Sequence, residues 1–117
     1  MKLSEEQREQ IKKYLSFHKR ESGIRKIILD QNNDVSFGLL IEEGVFSSDL
    51  MKSSAFLSKF LYQHPELYSK KNVIDIGCGP GTQGIIMAKF GAKSVTLSDI
   101  NPKAVSNAKE NIKDTII

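Results

Sequence analysis

Apolar positions in the first 70 residues change their rhythm three times. Over the first 20 the chain is mostly charged, with Ile11 and Leu15, and Tyr14 beside them, grouped on one helical face. Ser4 followed by Glu5, Glu6 and Gln7 has the form of a capping box, so the spacing predicts a helix over 4–20, ended by Ser22-Gly23. "IRKIILD" and "VSFGLLIEE" then read as two strands around the polar turn "QNND", a hairpin. "GVFSSDLMKSSAF" follows as a loop running into a second helix, where Phe56, Leu57, Phe60 and Leu61 form the expected buried stripe. His64-Pro65 ends that helix, because the residue before a proline is turned away from helical geometry.

From residue 72 strands and helices alternate. "NVIDI" reads as a buried strand, Gly77 to Gly81 as a turn, and Ile85, Ile86, Met87 and Phe90 as the apolar face of a helix stopped by Gly91. "SVTLSD" is the next strand. Asn101 then takes the N-cap, Pro102 the first helical position, and Ala104, Val105, Ala108 and Ile112 the inner face. This β-α-β-α order opens an α/β fold with a parallel sheet. Two strands do not complete such a sheet, and the sequence stops about where a third would begin.

Composition narrows the class. The chain has 117 residues, 39% of them hydrophobic and 26% charged, as expected of a small globular domain. No apolar run approaches the length of a membrane span, and "MKLSEEQREQIKK" is too charged for a secretory signal. The single cysteine, Cys78, is incompatible with an internal disulfide framework or a cysteine-based metal site. A cytoplasmic protein with no membrane partner is expected. The net charge of +3 sits wholly in residues 1–30, which hold eight Lys/Arg against five Asp/Glu. That excess suits a solvated helix face better than a nucleic-acid surface. His18 and His64 have no partner at metal or triad spacing, so no metal and no catalytic residue is assigned.

The chemistry concentrates in "NVIDIGCGPGTQG". Gly79-Pro80-Gly81-Thr82-Gln83-Gly84 fits the G-x-G-x-x-G fingerprint of dinucleotide sites, between a strand and a helix. Two residues argue against a pyrophosphate. Pro80 has no N–H to offer, and Asp75 would place a negative charge close to the phosphates. A ligand with a cationic end would suit both. Cys78 lies inside the turn, where packing explains it better than nucleophilic chemistry. Asp99, 22 positions beyond Gly77 at the end of the second strand, can accept two hydrogen bonds from a ribose diol, or can serve as an acid at the following helix start.

The string "VIDIGCGPGTQG" resembles motif I of the class I S-adenosylmethionine-dependent methyltransferases. The resemblance implies a Rossmann-like fold and S-adenosylmethionine as cofactor. It implies further that Gly77, Cys78, Gly79 and Gly81 bring backbone to the methionine moiety, and that Asp75 helps orient its amino end, directly or through water. By the same resemblance Asp99 binds the ribose hydroxyls and Ile100 contacts the adenine. "GVFSSDLMKSSAFLSKFLYQ" is similar to the segment before motif I in the small-domain group, which includes ribosomal RNA guanine N2-methyltransferases and release-factor glutamine methyltransferases. The likeness covers about residues 36–113. Lys52-Ser53-Ser54 departs from the aspartate and glycine usual in the RNA enzymes.

Those families carry an Asn/Asp-Pro-Pro-Phe/Tyr motif after strand four, which this sequence lacks. In-line methyl transfer needs a positioned acceptor. The chain therefore reads as the N-terminal portion of a methyltransferase for RNA or protein, inactive alone. It divides into residues 1–50, a helix plus hairpin, and 51–117, the first half of the methyltransferase domain. A non-catalytic cofactor-binding or interaction module, and a piece of a dinucleotide oxidoreductase, remain as alternatives. In the resembled fold strand one is central, so "VIDI" would have an open edge. Either the hairpin strand covers that edge or copies of the chain self-associate through it.

Overall fold

A computed structural model describes residues 2–20, 23–46 and 52–115, with backbone alone for 14–20 and 52. Helix α1 (Glu5–Arg20) leads into strands β1 (Gly23–Asp30) and β2 (Val35–Ile41). Helix α2 (Lys52–Gln63) and a 3-10 turn at Pro65–Leu67 come next, then β3 (Asn72–Ile76), α3 (Thr82–Lys89), β4 (Ser94–Ser98) and α4 (Pro102–Asp114).

The capping box of α1 forms as the sequence indicates. The Gln7 amide donates to Ser4 Oγ at 3.1 Å, and the Ser4 amide donates to Gln7 Oε1 at 2.9 Å. Two of the N–H groups that a helix start leaves without partners are thereby satisfied. Ile11 is exposed; the side chains of Tyr14 and Leu15, and Ser22 itself, lie outside the described residues. Gly23 opens β1.

Strands β1 and β2 pair antiparallel, with Ile27 opposite Phe37 and Arg25 opposite Leu39. Asp30 closes the turn by accepting from the Asn33 amide at 3.1 Å and from Asn33 Nδ2 at 2.7 Å. Alternate residues of β2 point inward, so Phe37, Leu39 and Ile41 join Leu29 in the core. Ile85 and Ile86 of α3 complete that cluster, with Leu61, Tyr62, Phe90 and Ile112 packed around it. The core thus draws residues from both sides of residue 50.

Strands β3 and β4 form a separate parallel pair, with Val73 beside Val95 and Asp75 beside Leu97. The expectation of a buried strand at 72–76 fails. Ile74 is 56% exposed and Ile76 78%, while Val73 and Asp75 are half-buried. The cause is one-sided cover: α3 and α4 pack on the face of Val95 and Leu97, and among the described residues nothing covers the other. The hairpin does not cover the β3 edge either, since it stays in its own sheet.

The stripe expected on α2 is also corrected. Phe56 is 72% exposed, Leu57 and Phe60 are exposed, and of the four only Leu61 is half-buried. The buried residues are Ser54 and Ser58, one turn apart. They face Gln83 of α3, whose Nε2 donates to Ser58 Oγ at 3.1 Å and lies 3.4 Å from Ser54 Oγ. Small hydroxyl residues allow close helix approach and satisfy a polar neighbour, which bulky apolar ones cannot do. The displaced rings meet outside, Phe56 stacked on Phe60 and Phe60 tilted against His64.

Helix α4 begins as expected, with Asn101 Oδ1 accepting from the Lys103 amide at 3.1 Å and Pro102 at the first position. Ala104 and Ala108 are buried; Val105 and Ile112 are only half-buried. Asn107 and Asn111 complete the buried face.

Candidate cofactor site

The turn from Gly77 to Gly81 leaves β3 and feeds α3. Gly77 and Cys78 donate their amides to the Ser98 carbonyl, at 2.7 and 3.0 Å. Gly79 donates to Asp99 Oδ2 at 3.0 Å, and Gly81 to the Cys78 carbonyl at 2.9 Å. Pro80 has no N–H. From residue 77 to 81, therefore, no backbone donor is left for a ligand. The polar capacity that remains to the turn is carbonyl oxygen.

The turn lies hard against α4. A Cβ on Gly81, whose φ is +97°, would stand 2.8 Å from the Cβ of Ala108, so only glycine fits there. Gly84 plays the matching part on the sheet, where a Cβ would meet Leu97 Cδ2 at 2.9 Å. That is the close helix–strand contact served by the third glycine of the fingerprint.

Two acids frame the turn. Asp99 accepts from Gly79 through Oδ2 and from the Asn101 amide through Oδ1 at 2.9 Å, so it joins the glycine turn to the start of α4. Asp75 accepts the Gly84 amide at 3.0 Å. Burial raises the pKa of Asp75; the Gly84 bond pulls it back down and the nearby Asp99 raises it further. Cys78 is buried, and burial first, with Asp75 and Asp99 adding to it, pushes its thiol up to about 11. A protonated, enclosed thiol is a poor nucleophile.

A cleft of about 570 Å³ opens beside the turn, lined by Gly44, Phe46, Ile76, Gly77, Gly79 and Ser98 together with Asp99, Ile100, Asn101 and Ala104. A second hollow of about 500 Å³ continues past Asp99 and Ile100 to Val105, Ser106 and Lys109. Four of the seven residues singled out in the sequence therefore share one cleft: Gly77, Gly79, Asp99 and Ile100. The Ile100 side chain stands fully exposed between the two hollows. Asp75 sits behind the turn, and Cys78 and Gly81 lie within it, but none of the three lines the cleft.

Sequence reasoning missed the opposite wall. Phe46 lines the cleft, and its carbonyl lies 2.9 Å from where a Cβ on Gly79 would be. Asn101 reaches across to the same segment, donating Nδ2 to the Gly44 carbonyl at 3.1 Å. The aromatic ring after "GV" was visible as a resemblance, but nothing in the spacing tied it to a turn 33 positions away. Asn107 and Asn111 were missed because polar residues on a helix ordinarily face water.

A family model described as the methyltransferase small domain matches residues 36–117. The chain belongs to this family. The match begins in β2, so the methyltransferase small domain takes in the second hairpin strand as well as the β3-α3-β4-α4 unit. The fold is accordingly a partial Rossmann-like α/β fold of the class I methyltransferases, with α1 and β1 ahead of the matched residues.

Several curated proteins are similar. A ribosomal protein L11 methyltransferase of Dichelobacter nodosus is 39% identical over 66 residues, covering 56% of this chain and 22% of that protein. One of the same description from Ruminiclostridium cellulolyticum is 36% identical over 88 residues, 75% of this chain and 24% of that protein. The ribosomal protein arginine N-methyltransferase rmt3 of Schizosaccharomyces pombe is 35% identical over 82 residues, 68% of this chain and 14% of that protein. The chain thus spans roughly a fifth of the length of these relatives. No solved structure matches significantly. Among the described residues no helix is long and apolar enough to cross a membrane, and no group of three or more His, Cys, Asp or Glu could hold a metal ion.

Proposed function

We propose that the cleft beside the glycine turn binds S-adenosylmethionine, and that the chain is the cofactor-binding part of a methyltransferase. The observation that carries this is the engagement of every backbone donor from Gly77 to Gly81 inside the chain. A pyrophosphate needs such donors. S-adenosylmethionine carries no phosphate, and its α-ammonium and ribose hydroxyls are donors that need acceptors; carbonyl oxygens with Asp99 are what the turn offers. S-adenosylmethionine, when bound, supplies an activated methyl group on a positive sulfur.

Each residue then has a part. Gly77 and Gly79 bring the turn's backbone to the methionine end. Asp99 has one lone pair on each carboxylate oxygen beyond those used by Gly79 and Asn101, enough for a ribose diol. Ile100 and Phe46 provide apolar surface for the adenosine. Asp75, through Gly84, fixes the strand–helix junction behind the turn and lends negative potential to the amino end. Cys78 and Gly81 shape the turn from within.

The relatives' names favour a protein over an RNA as methyl acceptor, and a cytoplasmic site of action fits a ribosomal protein. The exposed Ile74 and Ile76, beside a β3 edge that no strand pairs among the described residues, support self-association. Light scattering at two concentrations tests this, and one unchanging monomer mass would refute it.

Calorimetric titration with S-adenosylhomocysteine and, separately, with NAD tests the cofactor assignment. Saturable binding of the first and none of the second is expected. Tight binding of NAD with no response to S-adenosylhomocysteine would overturn it.

A further inference from the structure

Asn107 and Asn111 are among the most deeply buried polar residues described, 0% and 5% exposed. They stand one turn apart on α4 and face the outer edge of β2. There the Leu40 amide donates to Asn111 Oδ1 at 3.0 Å, and the Glu42 amide donates to Asn107 Oδ1 at 3.0 Å. The Leu40 carbonyl accepts from both side chains, at 2.8 Å from Asn107 and 2.7 Å from Asn111. Two amide side chains thus do for this edge what a neighbouring strand would do.

The two asparagines differ in one respect. Among the described residues Asn107 bonds only to Leu40 and Glu42, at the end of the hairpin, whereas Asn111 Nδ2 also donates to the Pro80 carbonyl at 2.7 Å. Asn111 therefore has both donors and its acceptor engaged, one donor on the glycine turn and the rest on β2. Pro80 is the turn residue without an N–H, so its carbonyl is its only backbone hydrogen-bonding group. The adjacent Gly81 presses on Ala108 at a distance that leaves no room for a methyl. Ala108 and Asn111 together form a bed for the turn, and Asn111 is its hydrogen-bonded fastening.

We infer that Asn111 is a positioning residue for the cofactor turn, setting the Pro80–Gly81 backbone relative to the hairpin that carries the Phe46 wall of the cleft. The effect on cofactor rests on the assignment proposed above; the anchoring of the turn does not. Without Asn111 the Pro80 carbonyl is buried and unbonded, and the turn can relieve that only by moving, which displaces Gly79 from the cleft wall. Asn107, which touches the same strand and not the turn, is the internal control.

The test compares the 117-residue chain with Asn111→Ala and Asn107→Ala by two measurements. The first is amide hydrogen exchange at Gly79 and Gly81 without ligand, normalised to the global stability of each variant. Asn111→Ala is expected to speed exchange at both positions about tenfold more than Asn107→Ala does. The second is titration with S-adenosylhomocysteine, where Asn111→Ala should raise Kd about tenfold and Asn107→Ala by less than about twofold. Both variants are expected to lose melting temperature, so melting alone decides nothing. Equal acceleration of the turn amides in the two variants, or none with Asn111→Ala, would overturn the inference. If the unaltered chain fails to bind S-adenosylhomocysteine, the cofactor assignment falls and exchange alone judges the anchoring. Should Asn111→Ala leave too little folded chain, Asn111→Ser replaces it under the same criteria.

Discussion

The Asp75 carboxylate accepts the Gly84 amide at 3.0 Å, joining β3 to the first turn of α3 across nine residues. The carboxyl group set in an apolar strand is thus a fastener for the glycine turn, held behind the cleft.

That position has a consequence for pH. The folded-state pKa of Asp75 is raised above 3.8, chiefly by burial. Its stabilising contribution is therefore complete below the unfolded value and declines as pH rises through the folded value. Asp75→Asn keeps an acceptor for Gly84 and cannot ionise. Its melting temperature relative to the unaltered chain should rise between about pH 3.5 and neutrality. Thermal melts across that range check this; an advantage confined to the acid end would reverse the assignment.

Asp99→Ala removes the acceptor of both Gly79 and Asn101. Cofactor affinity is expected to fall by about 1.5–3 kcal/mol, the range for hydrogen bonds to a charged group. The readout is the Kd of S-adenosylhomocysteine with a folded variant. An unchanged Kd would leave Asp99 as a fastener alone.

Two glycines separate packing from binding. Gly81→Ala places a methyl 2.8 Å from Ala108 Cβ at a φ of +97° and should cost about 2 kcal/mol or more in urea unfolding. Gly77, with φ +71°, faces open space beside the cleft. Gly77→Ala should cost only about 1–2 kcal/mol of stability but weaken cofactor binding more than that. Equal stability losses in the two variants would contradict the packing described here.

Cys78 should resist alkylation. With the thiol pushed up to about 11 and buried, the folded chain near pH 8 is expected to react with iodoacetamide at least about 100-fold more slowly than the chain in urea. Comparable rates would mean that the turn opens readily.

The glycine string and the caps were legible because each depends on local geometry. Ser4 with Gln7, Asn101 with Pro102, and Gly81 at its left-handed φ announce themselves within a few residues. The α/β order from residue 72 followed from periodicity in the same way. Burial was harder to read, because it depends on what lies opposite. Phe56, Leu57 and Phe60 have helical spacing, but α3 presents Gln83 to that helix, so serines turn inward. Ile74 and Ile76 alternate like core residues on a face that has no cover among the described residues. Of the residues that line the cleft, Gly77, Gly79 and Asp99 were singled out by motif and spacing and Ile100 by the resemblance. Phe46 and Asn111 join the turn through contacts more than 30 positions apart, and no local pattern marks them.

The asparagine clamp also bears on the order of events when the chain folds. The two hairpin strands are neighbours in sequence and can pair by closing a short turn. Their attachment to α4 spans 65 to 71 positions and runs through Asn107 and Asn111. Contacts of that reach must await closure of a long loop. The hairpin is therefore expected to form early and dock late, bringing the Phe46 wall of the cleft with it.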